Sequence, residues 1–254
     1  MDNKIAKEIA FNFLEIPIIS CKSIGSGSNN KNFLIKSNKK EIVIKLSLPH
    51  KEYKAHKDYL KEKWCIEKSS KKGVLGPSVL NLGKFKKRAY MIETFVSGIN
   101  GKKLKNKVHL YKKLGKYTKL IHSIKTSGFG EDLSNYKNRV FKDSWGRYLD
   151  YNIKSLTKGD QSIKLKVINL QQSKQVKDIF ILLKKKKFNF GLNHGDLSAW
   201  NTLVEKSGKV NLLDWGCAES HIVPHFDFSY ILWSQLQNKK PSNNVLGMDI
   251  WRFN

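Results

Sequence analysis

Residues 194–216 read His194-Gly195-Asp196-Leu197-Ser198-Ala199-Trp200-Asn201-Thr202-Leu203-Val204-Glu205-Lys206-Ser207-Gly208-Lys209-Val210-Asn211-Leu212-Leu213-Asp214-Trp215-Gly216. The carboxylate of Asp196 is followed five positions on by the carboxamide of Asn201, and thirteen beyond that by the carboxylate of Asp214. Phosphoryl transfer from a nucleoside triphosphate needs such a set. One Asp orients and deprotonates the attacking hydroxyl, while an Asn and a second Asp hold the metal ions that neutralise the phosphates. Thr202–Val204 and Val210–Leu213 are apolar runs around the Lys206-Ser207-Gly208-Lys209 turn, and a hairpin there returns Asp214 towards Asn201. A single Asp or Asn in a loop is usually a turn residue or a helix cap. The joint pattern carries the reading.

His194-Gly195-Asp196, Asn201 and Asp214-Trp215-Gly216 resemble the aminoglycoside phosphotransferase and choline kinase-like family, small-molecule kinases with a protein-kinase-like fold. The fold class implied is α+β and bilobal, with a small antiparallel-sheet lobe and a mainly helical lobe. Gly195 stands where protein kinases carry Arg, and no Ala-Pro-Glu follows Asp214. Both departures favour a small-molecule kinase over a protein kinase. The resemblance implies Asp196 as catalytic base, Asn201 and Asp214 as Mg²⁺ ligands, and ATP as phosphoryl donor.

Upstream parts follow in the order that the resemblance requires. Gly25, Ser26, Gly27 and Ser28 form a turn whose backbone N–H groups can approach phosphate oxygens. Glu41-Ile42-Val43-Ile44-Lys45-Leu46 alternates as a strand, with Lys45 resembling the strand lysine that contacts the ATP phosphates. In the helical stretch after Pro49, Glu52 best matches the glutamate that orients this lysine, with Glu62 as competitor. Ala89-Tyr90-Met91-Ile92-Glu93-Thr94-Phe95 resembles the last small-lobe strand and the hinge, where backbone groups from Glu93 to Phe95 would bond the adenine edge. His122 and Asp227 read as structural, Asp227 buttressing the catalytic loop. The lobes are expected at 1–95 and 96–254.

The chain has 254 residues, enough for one two-lobed unit. No apolar run reaches the roughly 18–20 residues of a membrane span, and the N-terminus reads as an amphipathic helix instead of a signal peptide. Cys21, Cys65 and Cys217 form no metal-binding spacing, and this sparse odd count points to a reducing cytoplasm. The net charge of +27 is the main competitor, since a strongly basic chain suits nucleic acid. Yet only Arg88, Arg139, Arg147 and Arg252 are arginines, against 44 lysines (48 − 4), and Arg is the residue for bidentate phosphate and base contacts. Nonspecific polyanion contact at low salt is expected, and specific nucleic-acid recognition is not.

Residues 131–190 are expected to enclose a small hydroxylated acceptor, with an aromatic-rich amphipathic helix over Asp143–Tyr151. Glu131, Asp132, Asp143, Asp150 and Glu219 are the carboxylates available to line that site, in a positive field that disfavours steering of cations. Members of this family often carry further helices beyond the stretch that follows Trp215, so the acceptor end is expected to be short. Choline, a sugar, a nucleoside and an antibiotic hydroxyl all fit as acceptors. The alternatives are a kinase-like protein acting on a macromolecule and a catalytically silent nucleotide- or polyanion-binding module. The pattern leaves oligomeric state open.

Overall fold

The computed structural model describes residues 2–26, 29–156, 160–236, 244–245 and 248–249. It opens with helix α1 (Asp2–Leu14), followed by strands β1 (Ile18–Ser26), β2 (Asn30–Ser37) and β3 (Glu41–Ser47). Helix α2 (Glu52–Ser70) leads into the hairpin of β4 (Val79–Phe85) and β5 (Arg88–Thr94). The five strands form one antiparallel sheet in the order β1-β2-β3-β5-β4. Ala6, Ile9 and Ala10 recur at helical spacing, and they bury one stripe of α1 against Phe33, Ile35, Ile44 and Ile92. Buried Arg88 pins that helix: its Nε donates to the Ser47 carbonyl at 2.5 Å, and its guanidinium donates to Asp2 at 2.8 Å.

Beyond the sheet come β6 (Ile99–Asn100), α3 (Val108–His122), β7 (Phe129–Asn135), β8 (Val140–Asp143), α4 (Trp145–Ser155), α5 (Gln161–Lys164) and α6 (Leu170–Lys184). The chain continues through β9 (Phe190–Asn193), β10 (Thr202–Val204), β11 (Val210–Leu212), β12 (Glu219–Ile222) and α7 (His225–Leu236), then the short pair β13 (Asn244–Val245) and β14 (Met248–Asp249). A three-stranded sheet runs β11-β10-β6, and a four-stranded one β8-β7-β12-β9. Leu110, Leu114, Tyr117 and Ile121 place one face of α3 in the larger core with Leu192, Leu212 and Trp215. The helix expected at Asp143–Tyr151 starts two residues later, because Asp143 closes β8 and Ser144 is extended.

Helix α2 is held from both sides. Ala55 and Tyr59 pack on Ala89 and Met91 of the five-stranded sheet, whereas Trp64, Cys65 and Ile66 belong to the larger core. The Trp64 indole N–H donates to the Tyr136 carbonyl at 3.0 Å, and Lys57 pairs with Asp132 at 2.6 Å. The β7–β8 hairpin thus braces α2 and fixes the height of its buried stripe against β3.

Candidate active site

The loop between β9 and β10 is built on Asp227, the third residue of α7. Its fully buried carboxylate accepts the backbone N–H groups of His194 at 3.0 Å and Gly195 at 2.9 Å, and it meets His122 Nε2 at 2.9 Å. Burial opposes its ionisation, but the His122 bond and the nearby His194 hold the carboxyl below its ordinary range. His194 Nδ1 accepts the Asp196 N–H at 3.3 Å, so Nε2 carries the ring proton and donates to the Leu213 carbonyl at 3.0 Å. The buttressing role expected of Asp227 agrees with these bonds, and His122 belongs to the same support.

Gly195 has a steric reason. Its φ is +77°, and a Cβ there would stand 2.0 Å from the Cys217 carbonyl oxygen. Only glycine fits this approach between the catalytic loop and the segment after Asp214.

The hairpin β10–β11 does what the spacing implied. Thr202 pairs with Leu212, and the Leu213 N–H donates to the Asn201 carbonyl at 2.8 Å. Asn201 Nδ2 donates to the Asp196 carbonyl at 2.9 Å, which leaves its Oδ1 for a cation. Asp214 adopts φ +60°, a left-handed conformation that Asp tolerates better than most residues. Asn201 and Asp214 line one cleft of about 230 Å³ together with Lys45, Glu93, Thr94, Phe95 and Val96.

Lys45 forms a buried ion pair with Glu62, and the same Glu62 oxygen accepts the Trp215 N–H at 3.2 Å. A second carboxylate, Glu93, lies 3.7 Å from the Lys45 ammonium. Burial alone would lower the lysine, but Glu62, Glu93 and Asp214 hold it above the ordinary range. Burial pushes the Glu93 carboxyl up to about 7 in spite of Lys45.

Residues 20–245 match the model of the phosphotransferase enzyme family, which covers 226 of the 254 residues (245 − 19). The chain belongs to that family. Among solved structures, the phosphotransferase is similar to a thermostable mutant of aminoglycoside phosphotransferase APH(4)-Ia in complex with ADP and hygromycin B. The identity is 15%, covering 91% of this chain and 77% of that one, with a TM-score of 0.68. It is also similar to aminoglycoside 2'-phosphotransferase-IIIa bound to GDP (17% identity, 92% and 78% covered, TM-score 0.63). A fructosamine-3-kinase candidate from Haemophilus somnus gives 16% identity, 94% and 79% coverage and a TM-score of 0.61. At these identities the likeness shows the fold, which is α+β, bilobal and protein-kinase-like. No curated protein sequence matches.

One expected site residue of this phosphotransferase is corrected. Glu52 lies in the first turn of α2 and does not hold Lys45, whose partner is Glu62. Residues 52, 55, 59, 62 and 66 all fall on one helical stripe, so periodicity alone cannot choose between the two glutamates. Ten residues put them about 15 Å apart along the axis, and the height set by the β7–β8 brace selects Glu62.

Glu93 pairs with Val43 and Val79, and the Thr94 N–H is taken by the Ser78 carbonyl at 2.9 Å, so the backbone leaves the sheet only at Phe95. Glu93 therefore reaches the cleft through its side chain. Gly25 and Ser26 end β1, while Gly27 and Ser28 lie outside the described residues.

Two of the carboxylates expected to line an acceptor site are taken by lysines: Asp132 by Lys57, and Asp150 by Lys184 at 2.5 Å. Glu131 and Glu219 are neighbours on β7 and β12, next to the Gly130–Ser220 pair. Burial, reinforced by Glu131 and opposed by Lys61, pushes the Glu219 carboxyl up to about 8. Phe129, Trp145, Tyr148 and His221 form an aromatic wall beyond them, with ring centroids 4.8–5.9 Å apart; Trp145 and Tyr148 stack, and the other pairs meet at a tilt or edge-on.

Among the described residues, no group of three or more His, Cys, Asp or Glu could hold a metal. Magnesium asks for less, since it is bound through one or two carboxylates plus substrate phosphates and water. The Asn201 and Asp214 oxygens on one wall of the cleft fit that requirement. No helix among the described residues is long and apolar enough to cross a membrane.

Proposed function

We propose that this phosphotransferase moves the γ-phosphoryl group of ATP to a hydroxyl of a small molecule, with Asp196 as the catalytic base. The observation that carries the reading is the single cleft joining the Lys45–Glu62 pair to Asn201 and Asp214, with Asp196 tied to Asn201 through its own carbonyl. Lys45 would meet the α/β phosphates, and the end of β1 near Gly25 and Ser26 would cover them. Backbone groups of Phe95 and Val96 would bond the base.

Asn201 and Asp214 would hold Mg²⁺, which neutralises phosphate charge. Asp196 accepts the proton of the acceptor hydroxyl as that oxygen attacks phosphorus, and the nucleoside diphosphate leaves. Catalysis comes from positioning and fixed charge, with no covalent enzyme intermediate. A donor of this kind suits a cytoplasmic enzyme.

Glu131, with the Glu219 carboxyl beside it on β12, supports an acceptor that carries an amine as well as its hydroxyl, against the positive field of the rest of the molecule. The test is magnesium-dependent ATP consumption with hygromycin B, other aminoglycosides, choline and fructosamines, run beside Asp196→Asn. Turnover with one acceptor that the variant lacks supports the reading. ATP binding with no turnover on any hydroxylated acceptor, but ³²P transfer to added proteins, would favour a macromolecular substrate.

A further inference from the structure

The bonds that build the loop between β9 and β10 stop at the Asp196 backbone. Its N–H goes to His194 Nδ1, and its carbonyl takes the Asn201 amide. Neither bond holds the carboxylate. The last side-chain torsion of an Asp has broad wells instead of three sharp ones, so a fixed backbone does not by itself fix the two oxygens. A proton acceptor in phosphoryl transfer has to be placed more closely than that.

Helix α7 supplies the missing hold. Asp227, Tyr230 and Ile231 stand at i, i+3 and i+4, so they share one face of the helix. Asp227 is fully buried under the His194 and Gly195 amides, and Ile231 is buried in the larger core with Leu192, Leu197 and Trp215. Phe228 meets the His122 ring edge-on at 6.4 Å. These contacts anchor α7 on both sides of Tyr230. One turn beyond Asp227, the Tyr230 hydroxyl hydrogen-bonds to the Asp196 side chain. Burial pushes this hydroxyl up to about 12, and the Asp196 bond adds to the shift, so near neutral pH it keeps its proton and donates to the carboxylate.

We propose that Tyr230 is a positioning residue for phosphoryl transfer: its hydroxyl donates to one Asp196 oxygen, stops the carboxylate from turning, and leaves the other oxygen for the acceptor hydroxyl. This deepens, and rests on, the reading of Asp196 as the base. One helix then holds the loop twice, through the amides before Asp196 and through Asp196 itself. The path of the loop is already set by Asp227, His194 and Asn201, so the Tyr230 bond is not needed to shape it. Tyr230 is also only half-buried, whereas Asp227 and Ile231 beside it carry the packing.

The competing account is packing alone, in which the Tyr230 ring fills space beside the loop and its hydroxyl has no effect on turnover. Tyr230→Phe separates the two, because it removes the hydroxyl and keeps the ring. Two measurements on the intact chain are needed, with thermal melting to verify folding. Nuclear magnetic resonance of protein labelled with ¹³C at the Asp carboxyls, with the Asp196 signal assigned through Asp196→Asn, reports the bond. Initial-rate kinetics of ATP consumption with hygromycin B, other aminoglycosides, choline and fructosamines report its use.

In Tyr230→Phe the Asp196 signal should move and kcat should fall by about ten- to hundredfold. KM for Mg·ATP should stay within about twofold of wild type, since the bond serves only the transfer step. An Asp196 signal that stays in place, or a folded variant with wild-type kcat as the packing account requires, overturns the Tyr230 assignment and leaves Asp196 as the base. A loss confined to the KM for Mg·ATP overturns it too, by moving Tyr230 to nucleotide binding. Failure of the wild type to transfer phosphate from ATP to any of these acceptors overturns the reading of Asp196 as the base, and this proposal with it.

Discussion

The loop around Asp196 and the aromatic wall of Phe129, Trp145, Tyr148 and His221 are built by different means. Around Asp196 the positions are fixed by backbone groups: Asp227 holds two consecutive amides, His194 bridges to Leu213, and Asn201 ties Asp196 to the hairpin. The aromatic wall depends on side chains. Phe129, Trp145, Tyr148 and His221 lean on one another, the Trp145 indole nitrogen is buried without a partner, and Glu219 is a carboxyl that burial drives towards neutrality. A reaction needs its base, metal ligands and phosphates held within fractions of an ångström, and backbone bonds supply that rigidity. A wall of packed side chains can be re-formed by substitution without moving those backbone bonds, so the two regions should respond differently to mutation.

The largest contrast is expected at the base. Asp196→Asn keeps the size and backbone of the loop, so turnover should fall by about 10³-fold while Mg·ATP affinity stays within about threefold. Initial-rate kinetics beside calorimetry check this, and full turnover in the variant would remove Asp196 from its role.

Next comes the support under the loop. Asp227→Ala leaves two amides and the His122 ring without their acceptor, and it should cost about 3–5 kcal/mol in thermal or urea unfolding. Tyr151, on α4 beside the aromatic wall, is 72% exposed, and Tyr151→Ala should cost less than about 0.5 kcal/mol. Similar losses in both would erase the contrast.

A third test separates the two glutamates of α2. Glu62→Gln should lower kcat/KM for ATP by about 100-fold, because it loosens both Lys45 and the Trp215 amide. Glu52→Gln should leave it within twofold of wild type. Equal effects would contradict the pairing.

The smallest effect concerns Glu219. Its folded carboxyl titrates near 8 and the unfolded one near 4.5, so the folded chain keeps a proton that the unfolded chain releases. Stability should therefore fall as pH rises from about 4.5 to about 8. Glu219→Gln should match wild type near pH 4 and be more stable by about 1 kcal/mol near pH 8.5, by thermal melts across pH. An unchanged slope would place that proton elsewhere.

How legible each region was in the sequence follows the same division. Asp196, Asn201 and Asp214 are close in the chain and joined by a short hairpin, so local spacing nearly determines their geometry. Asp227 and Lys45 were readable from position along ordered elements. Glu62 was not, because stripe periodicity admits Glu52 equally and only tertiary contacts of Trp64 and Lys57 set the helix height. Gly195 could be read as a missing arginine, but its steric need depends on the Cys217 carbonyl, twenty-two residues away. The β7–β8 hairpin and the aromatic wall depend on contacts between segments such as Phe129 and His221, which no local pattern encodes. Tyr230 has the same limit, since its bond to Asp196 exists only once α7 packs against the loop.

The central claim is that residues 194–216 and the Lys45–Glu62 pair form one metal-dependent nucleotide site. Calorimetric titration of AMP-PNP, with and without magnesium, into the wild type, Asp196→Asn and Asp214→Ala tests it most directly. The account predicts magnesium-enhanced binding in the wild type and in Asp196→Asn, and loss of that enhancement in Asp214→Ala. Binding indifferent to magnesium, or enhancement that survives in Asp214→Ala, would contradict it.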